Sequence, residues 1–251
     1  MKNSITRFTG RVEYFAKYRP GYPEQVIGAL EKNIGFDASK DIADIACGTG
    51  ILSRLFLSNG NLVFGVEPND EMRAEAEKSL GKFLNFISVS GTAENTTLAT
   101  NSADVITVGN AFHWFDLKKA RKEFKRVLRK GGHVVILWNE RKNTSPFMKA
   151  LDAVLKPLNE EHDELEQNLS DKDFLKSFFG EERIHSNTFP NFQMLDLNGL
   201  KGRVQSISYV PESGDEHKNV MKEIKDLYDK FNNGGQVKIE YVTKVYYGNL
   251  I

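Results

Sequence analysis

Asp41-Ile42-Ala43-Asp44-Ile45-Ala46-Cys47-Gly48-Thr49-Gly50 opens a stretch that closes at Leu62-Val63-Phe64-Gly65-Val66-Glu67, and the reading of this stretch decides the fold. Ile42, Ala43, Ile45 and Ala46 form an apolar run short enough for a buried strand, and Cys47 to Gly50 turn the chain. Leu52, Leu55 and Phe56 then recur at helical spacing, Gly60 closes that helix, and Leu62 to Val66 is a second buried strand ending at an acid. Strand, helix and strand in this order imply a parallel pair.

Glycine at such a turn removes the Cβ that would hold a ligand away from the backbone. A carboxylate closing the second strand can accept two hydrogen bonds from a ribose diol, so Glu67 points to an adenosine-containing ligand. A dinucleotide lays a pyrophosphate on the turn and wants a third glycine, whereas only Gly48 and Gly50 are present and Asp44 stands just ahead of them. Asp44 would repel an anion and attract a cationic amino-acid tail.

Asp44 to Gly50, followed by Glu67-Pro68-Asn69-Asp70-Glu71-Met72, resembles the class I S-adenosylmethionine-dependent methyltransferases, in particular the type 11 small-molecule group that includes trans-aconitate methyltransferases. The resemblance implies an α/β, Rossmann-like, mostly parallel seven-stranded sheet. Helices would cover both faces, the last strand would be antiparallel, and a helical insertion would form a lid. It also implies S-adenosylmethionine as cofactor, held by Asp44, Ala46, Gly48, Gly50, Glu67, Pro68 and, near the adenine, Met72.

The chain of 251 residues suits one α/β domain with an appended lid. Basic and acidic residues number 34 each, a balance that gives no electrostatic case for nucleic acid or an anionic membrane. Cys47 is the one cysteine, which excludes an intrachain disulfide and suits a reducing compartment. The opening Met1 to Arg7 lacks the apolar core of a signal peptide, and no apolar run approaches a membrane span, so the expectation is a soluble cytoplasmic protein, monomer or dimer.

Residues 1–24 are aromatic and punctuated, with Tyr18-Arg19-Pro20-Gly21-Tyr22-Pro23 too broken for a helix. They serve either as sheet packing or, as the resemblance implies, as a flap in which Tyr14 or Arg19 meets the methionine carboxylate. Residues 25–140 read as the cofactor core. Within it, Thr92-Ala93-Glu94 follows a third strand from Phe83 to Val89, where a ligand's adenine would lie. The resembling family usually has an aspartate at the position of Thr92, so Thr92 or Glu94 must substitute. After a fourth strand, Ala103 to Val108, come Asn110, Ala111, His113 and Trp114, the loop that faces the methyl group in the resembling fold. His113 is either a packed ring or, functionally, a base or an orienting group for the acceptor.

The helix with Ala120, Phe124, Val127 and Leu128 on its apolar face carries eight basic residues from Lys118 to Lys130, read as a solvated face, and Gly131-Gly132 ends it before a fifth strand, His133 to Trp138. Helices are expected over Pro146 to Leu158, Glu160 to Leu169 and, capped by Ser170, Asp171 to Phe179, making residues 141–182 a helical connection. His162 among the acids 160–166 lacks metal-site spacing, so no metal is expected. Closing strands at 183–190 and 235–248 bracket a helical lid at 191–233, with Arg203, Ser206, Ser208 and Tyr209 its candidate acceptor-reading residues.

Methyl transfer to a small-molecule acceptor is the resulting expectation, with O-methylation of a carboxylate or hydroxyl favoured. His113, Trp114 and Tyr209 stand nearest the chemistry, and Arg19, Arg141 or Arg203 would clamp a carboxylate. A nicotinamide-dependent oxidoreductase and a non-catalytic adenosyl-binding protein share parts of the same pattern.

Overall fold

The computed structural model describes residues 10–159, 172–180 and 184–250. Seven strands make one sheet in the order β3-β2-β1-β4-β5-β7-β6. They are β1 (Ile42–Ile45), β2 (Val63–Val66), β3 (Phe86–Val89), β4 (Ala103–Gly109), β5 (Leu128–Arg141), β6 (His185–Leu195) and β7 (Val237–Gly248). β1 to β5 pair in parallel, and β7 runs antiparallel to both β5 and β6. The expected mostly parallel sheet with a reversed last strand is therefore what the chain builds.

Period-two alternation explains why both faces are covered. Ala43, Ile45, Ile106, Val108, Val134 and Ile136 turn to one side, where Phe124 of α5 (Leu117–Val127) and Phe178 of α7 (Lys172–Phe179) seal them. Ile42, Val63, Val105, Val135 and Leu137 turn to the other, against Val26 and Leu30 of α2 (Gln25–Ile34) and Leu52 and Phe56 of α3 (Ile51–Ser58). Helix α4 (Asp70–Leu80) starts at Asn69, whose side chain accepts from the Met72 amide at 3.0 Å as an N-cap.

A third apolar cluster is separate from the sheet core. It joins Phe147, Met148 and Leu151 of α6 (Pro146–Leu155), Leu200 and Val204 of α8 (Leu197–Gln205), Val220 and Ile224 of α9 (Gly214–Phe231), and Val237, Ile239 and Tyr241 at the start of β7. That start lies beyond Arg141, where β5 ends its pairing with β7, so the helical cluster stands over the carboxyl ends of the parallel strands.

Several boundaries differ from expectation: β3 begins at Phe86 rather than Phe83, and α6 ends at Leu155 rather than Leu158. Helix α5 stops at Val127 and the strand begins at once at Leu128, so the glycine pair lies inside β5. Pairing with β4 jumps from Ala103↔Leu128 to Val105↔His133, and Gly131, at φ +83°, sits within the irregularity, so these glycines form a bulge. Arg129, expected on a solvated helix, instead bridges Asp41 at 2.8 Å and Asp104 at 2.7 Å at the amino ends of β1 and β4. Strand β6 runs to Leu195, past the expected end at Pro190, because it pairs with β7 along its whole length. The helical part of the lid accordingly begins at Leu197. The helix expected over Glu160 to Leu169, the Ser170 cap and the acids around His162 lie outside the described residues.

Candidate active site

A cavity of about 550 Å³ opens at the carboxyl ends of β1, β2, β4 and β5, beneath α1 (Val12–Tyr18) and the lid. At its centre is the turn after β1. Ala46 and Gly48 line it with φ of +55° and +57°, and Gly50 at φ +80° leads into α3. A non-glycine residue in the left-handed region costs about 1 kcal/mol, so Ala46 holds a strained backbone at the cavity wall. Asn110 at the end of β4 does the same at φ +54°. Its Oδ1 accepts from the Tyr22 hydroxyl at 2.9 Å and from the Asn139 amide at 3.1 Å, which fixes the strand end.

Glu67 closes β2 facing the same cavity. One of its carboxylate oxygens accepts from the Gly48 amide at 2.9 Å and the other from the Asn69 amide at 2.9 Å. Each oxygen keeps a further lone pair, so a ribose diol can donate to both. Burial pushes this carboxyl's pKa up, against the two amide bonds that lower it.

Asp44 does not reach the cavity surface. It is fully buried and accepts from Ser53 Oγ at 2.6 Å and from Thr107 Oγ1 at 2.9 Å. Burial raises it to about 6. Its influence on a ligand in the cavity is therefore a field through the turn rather than a contact. Gly50 is likewise behind the wall, where a Cβ would lie 2.4 Å from Leu80 Cδ1. Its role is packing of α3 on α4. Tyr14 points outward at 40% exposure and stacks on Tyr18, while its neighbour Phe15 takes the cavity position.

Pro68, Met72, Thr92, Ala93 and Glu94, the residues expected near an adenine, also line the cavity. The loop that carries them is held from α5. Glu123 accepts from the Thr96 amide at 2.9 Å and from Thr96 Oγ1 at 2.6 Å, while Arg126, with Thr96, holds the Glu123 carboxyl near a pKa of about 2. Glu94 accepts from the Asp116 amide at 2.9 Å. One side of the basic helix is thus a support for this loop.

Ala111 leads into a 3-10 turn, Phe112–Trp114, that delivers His113 and Trp114 to the cavity. The His113 ring lies against Trp114 at 4.3 Å and edge-on to Trp138 at 5.0 Å between centroids. An imidazole walled by two indoles is both oriented and shielded from water.

The lid side is cationic. Arg19, Arg141 and Arg203 all line the cavity with Tyr209. Arg19 stacks over Phe15, donates to the Ser206 carbonyl at 2.8 Å, and keeps a buried Nε that has no hydrogen-bond partner among the described residues. Burial, with Arg203 and Arg141 close by, brings it down to about 9. Arg203 donates to the Tyr241 hydroxyl at 3.1 Å and to Ser206 Oγ at 3.3 Å. Arg141 reaches the Tyr209 hydroxyl at 3.4 Å and Asp152 at 3.9 Å.

Most expected residues thus share one cavity, while Tyr14, Asp44, Gly50 and the fully buried Ser206 stand outside its wall. Phe15, Asn69, Trp138, Asn139, Asp152 and Ile207 were not anticipated there. The rule that ligands sit at the carboxyl ends of parallel strands could have found Trp138 and Asn139 at the end of β5. Asp152, one acid on an amphipathic helix, carries no such signal.

Residues 43–136 match the family model described as a methyltransferase domain. The chain is 27% identical over 237 residues to an uncharacterised methyltransferase of Schizosaccharomyces pombe, covering 91% of this chain and 90% of that one. It is 31% identical over 148 residues to an uncharacterised methyltransferase of Mycobacterium tuberculosis, spanning 59% of this chain and 58% of the other. Among solved structures, a candidate type II methyltransferase from Anaeromyxobacter dehalogenans superposes with a TM-score of 0.66 at 18% identity, covering 93% of this chain and 99% of that one, a likeness of fold.

Proposed function

From the premise that this chain is a class I S-adenosylmethionine-dependent methyltransferase, we propose that it methylates an oxygen of a small anionic molecule, a carboxylate being favoured over a hydroxyl. The observation that carries this reading is a pair of arginines on the lid side of the cavity without a carboxylate partner, since the acids on that side, Asp152 and Glu140, engage Arg141 and Lys244. Arg203 is buried and Arg19 half-buried on the cavity wall, and among the described residues neither has a carboxylate within ion-pair distance. An unpaired buried cation costs several kcal/mol. The cofactor brings one carboxylate, which suits Arg19 and its open Nε, and a second anion is left for Arg203 with Arg141 and Tyr209.

The residues present fit the cofactor. Glu67 has acceptor capacity for both ribose hydroxyls, Ala46 and Gly48 leave backbone open to the cavity, and Asp44 puts negative potential behind the turn. When bound, S-adenosylmethionine would supply a sulfonium methyl group whose carbon an oxygen nucleophile attacks in line, the O–C bond forming as the S–C bond pair returns to the departing sulfur. Arg203, Arg141 and Tyr209 would orient a carboxylate, which is already ionised, so the chain need supply no base. Trp114, Trp138 and the lid exclude water that would screen the guanidinium groups.

A hydroxyl acceptor is the second reading, supported by the His113 ring held on the cavity wall by two indoles, where it could take the hydroxyl proton. Release of S-adenosylhomocysteine across a panel of carboxylic acids, phenols and amines tests both. Turnover of carboxylic acids is expected. Turnover confined to amines would overturn the reading, and turnover confined to phenols would replace it with the second.

A further inference from the structure

We propose that Arg11 is a positioning residue that fastens α1 to residues 205–212, so that filling the cofactor half of the cavity orders the acceptor half. The inference rests on the cofactor reading above. Arg11 is only 7% exposed, although it belongs to no apolar core. Its Nε pairs with Glu212 at 2.7 Å, Nη2 donates to the Val210 carbonyl at 2.5 Å, and Nη1 donates to the carbonyls of Ile207 and, at 3.4 Å, Gln205. One planar guanidinium thereby gathers carbonyls at and beyond the C-terminal end of α8, where a cation is favoured by the helix dipole.

Helix α1 has seven residues and buries none of them, too little to hold itself in place by local hydrogen bonds. It is held from its ends and one flank. Besides Arg11, Arg19 at its C-cap donates to the Ser206 carbonyl, and the Tyr18 ring packs so close to Gly202 of α8 that a Cβ there would lie 2.2 Å from it. The Gly10 amide also donates to Glu71 of α4 at 3.1 Å. The fastened pieces serve different halves of the site, since Phe15 and Arg19 face the cofactor and Ile207, Ser208 and Tyr209 face the acceptor. A ligand that draws in Arg19 must draw in the 206–209 segment with it.

Amide hydrogen exchange with and without S-adenosylhomocysteine, alongside calorimetric binding, tests this in wild type, R11A and E212Q. In wild type the ligand should slow exchange at least tenfold in both 12–19 and 203–210. In R11A it should still bind, within about tenfold of wild type, yet protect only the cofactor side; E212Q, which keeps the carbonyl bonds, should fall between. Should R11A fail to fold, Arg11→Lys keeps the charge but not the fork and should lose most of the protection at 203–210. Full protection there in either Arg11 variant would overturn the proposal. Binding without protection at 203–210 in wild type would remove the latch alone, whereas no binding heat in wild type would remove the cofactor reading and the latch together.

Discussion

The two halves of the cavity are built by different means. The cofactor half is a set of short consecutive runs at strand ends, residues 46–48, 67–69, 92–94 and 109–111, whose backbone is fixed by positive φ angles and amide-to-carboxylate bonds. The proposed acceptor half is side chains from distant parts of the chain, Arg141 at the end of β5 with Arg203 and Tyr209 of the lid. A backbone site tolerates little substitution and is general in what it binds. A side-chain site can be rewritten one residue at a time, which is how one fold comes to serve many acceptors.

The largest expected effect sharpens this contrast within the turn itself. Gly50→Val meets both a left-handed φ and a Cβ 2.4 Å from Leu80, so it should cost at least about 3 kcal/mol and yield little folded protein. Gly48→Val meets the φ penalty alone, the nearest atom to its Cβ being Phe15 Cε1 at 3.9 Å, and should fold with a loss of about 1–2 kcal/mol. Its affinity for S-adenosylhomocysteine should nevertheless fall about 100-fold, because the new side chain occupies the ligand's approach to the backbone. Thermal melts and calorimetry on the pair separate the glycine that packs from the glycine that binds, and equal behaviour of the two would break the distinction.

In the other half, Arg203→Met removes a buried cation that has no carboxylate partner among the described residues. The free protein should melt at the same temperature or higher, cofactor affinity should stay within about threefold, and kcat/KM for the acceptor should drop about 100-fold. A loss of cofactor affinity as large as the loss of kcat/KM would show that the two halves are not separable in this way.

A smaller effect links them to pH. Asp44 titrates near 3.8 when unfolded and at about 6 when folded, so between those values the folded chain holds the extra proton. Stability from this group is complete below about pH 4 and is lost as pH rises through about 6, by at most about 3 kcal/mol at 1.36 kcal/mol per pKa unit. A cationic ligand near the turn favours the ionised carboxylate, so cofactor affinity should rise by up to about tenfold from pH 5 to pH 7. Asp44→Asn should flatten both profiles. An unchanged pH dependence of binding in that variant would assign the effect to Glu67, whose carboxyl is also pushed up by burial.

The same contrast explains what could be read from the chain alone. The βαβ start, the carboxylate at Glu67 and the strand-end loops are encoded within a few residues of one another, so their spacing reveals them. The placement of Asp44 behind the wall, held by Ser53 and Thr107, depends on a helix and a strand meeting it in space. Phe15 in place of Tyr14 follows from the rotation of a seven-residue helix, which an aromatic-rich segment does not specify. The bulge at Gly131 reads from sequence as a helix end because a glycine pair serves either purpose, and only the pairing of β4 with β5 decides. Arg11 gives no signal, since its partners are three carbonyls and the Glu212 carboxylate, all far along the chain.

Thr92 offers the finest test of the comparison. The resembling family usually places an aspartate here, where it would accept from the adenine amino group, whereas Thr92 lines the cavity and its Oγ1 accepts from the Asn95 amide at 3.2 Å. An aspartate could keep that turn bond with one oxygen and turn the other to the ligand, since short acidic side chains serve the same turn geometry. A hydrogen bond to a charged acceptor exceeds one to a hydroxyl by about 1 kcal/mol, so Thr92→Asp should tighten S-adenosylhomocysteine binding about fivefold and leave the acceptor's KM unchanged. Because the loop is already fixed by Glu123 through Thr96, the substitution should not reorganise it. Weaker binding in this variant would mean that the adenine lies away from residues 92–94, and that the backbone half of the cavity extends less far along the strand ends than its lining suggests.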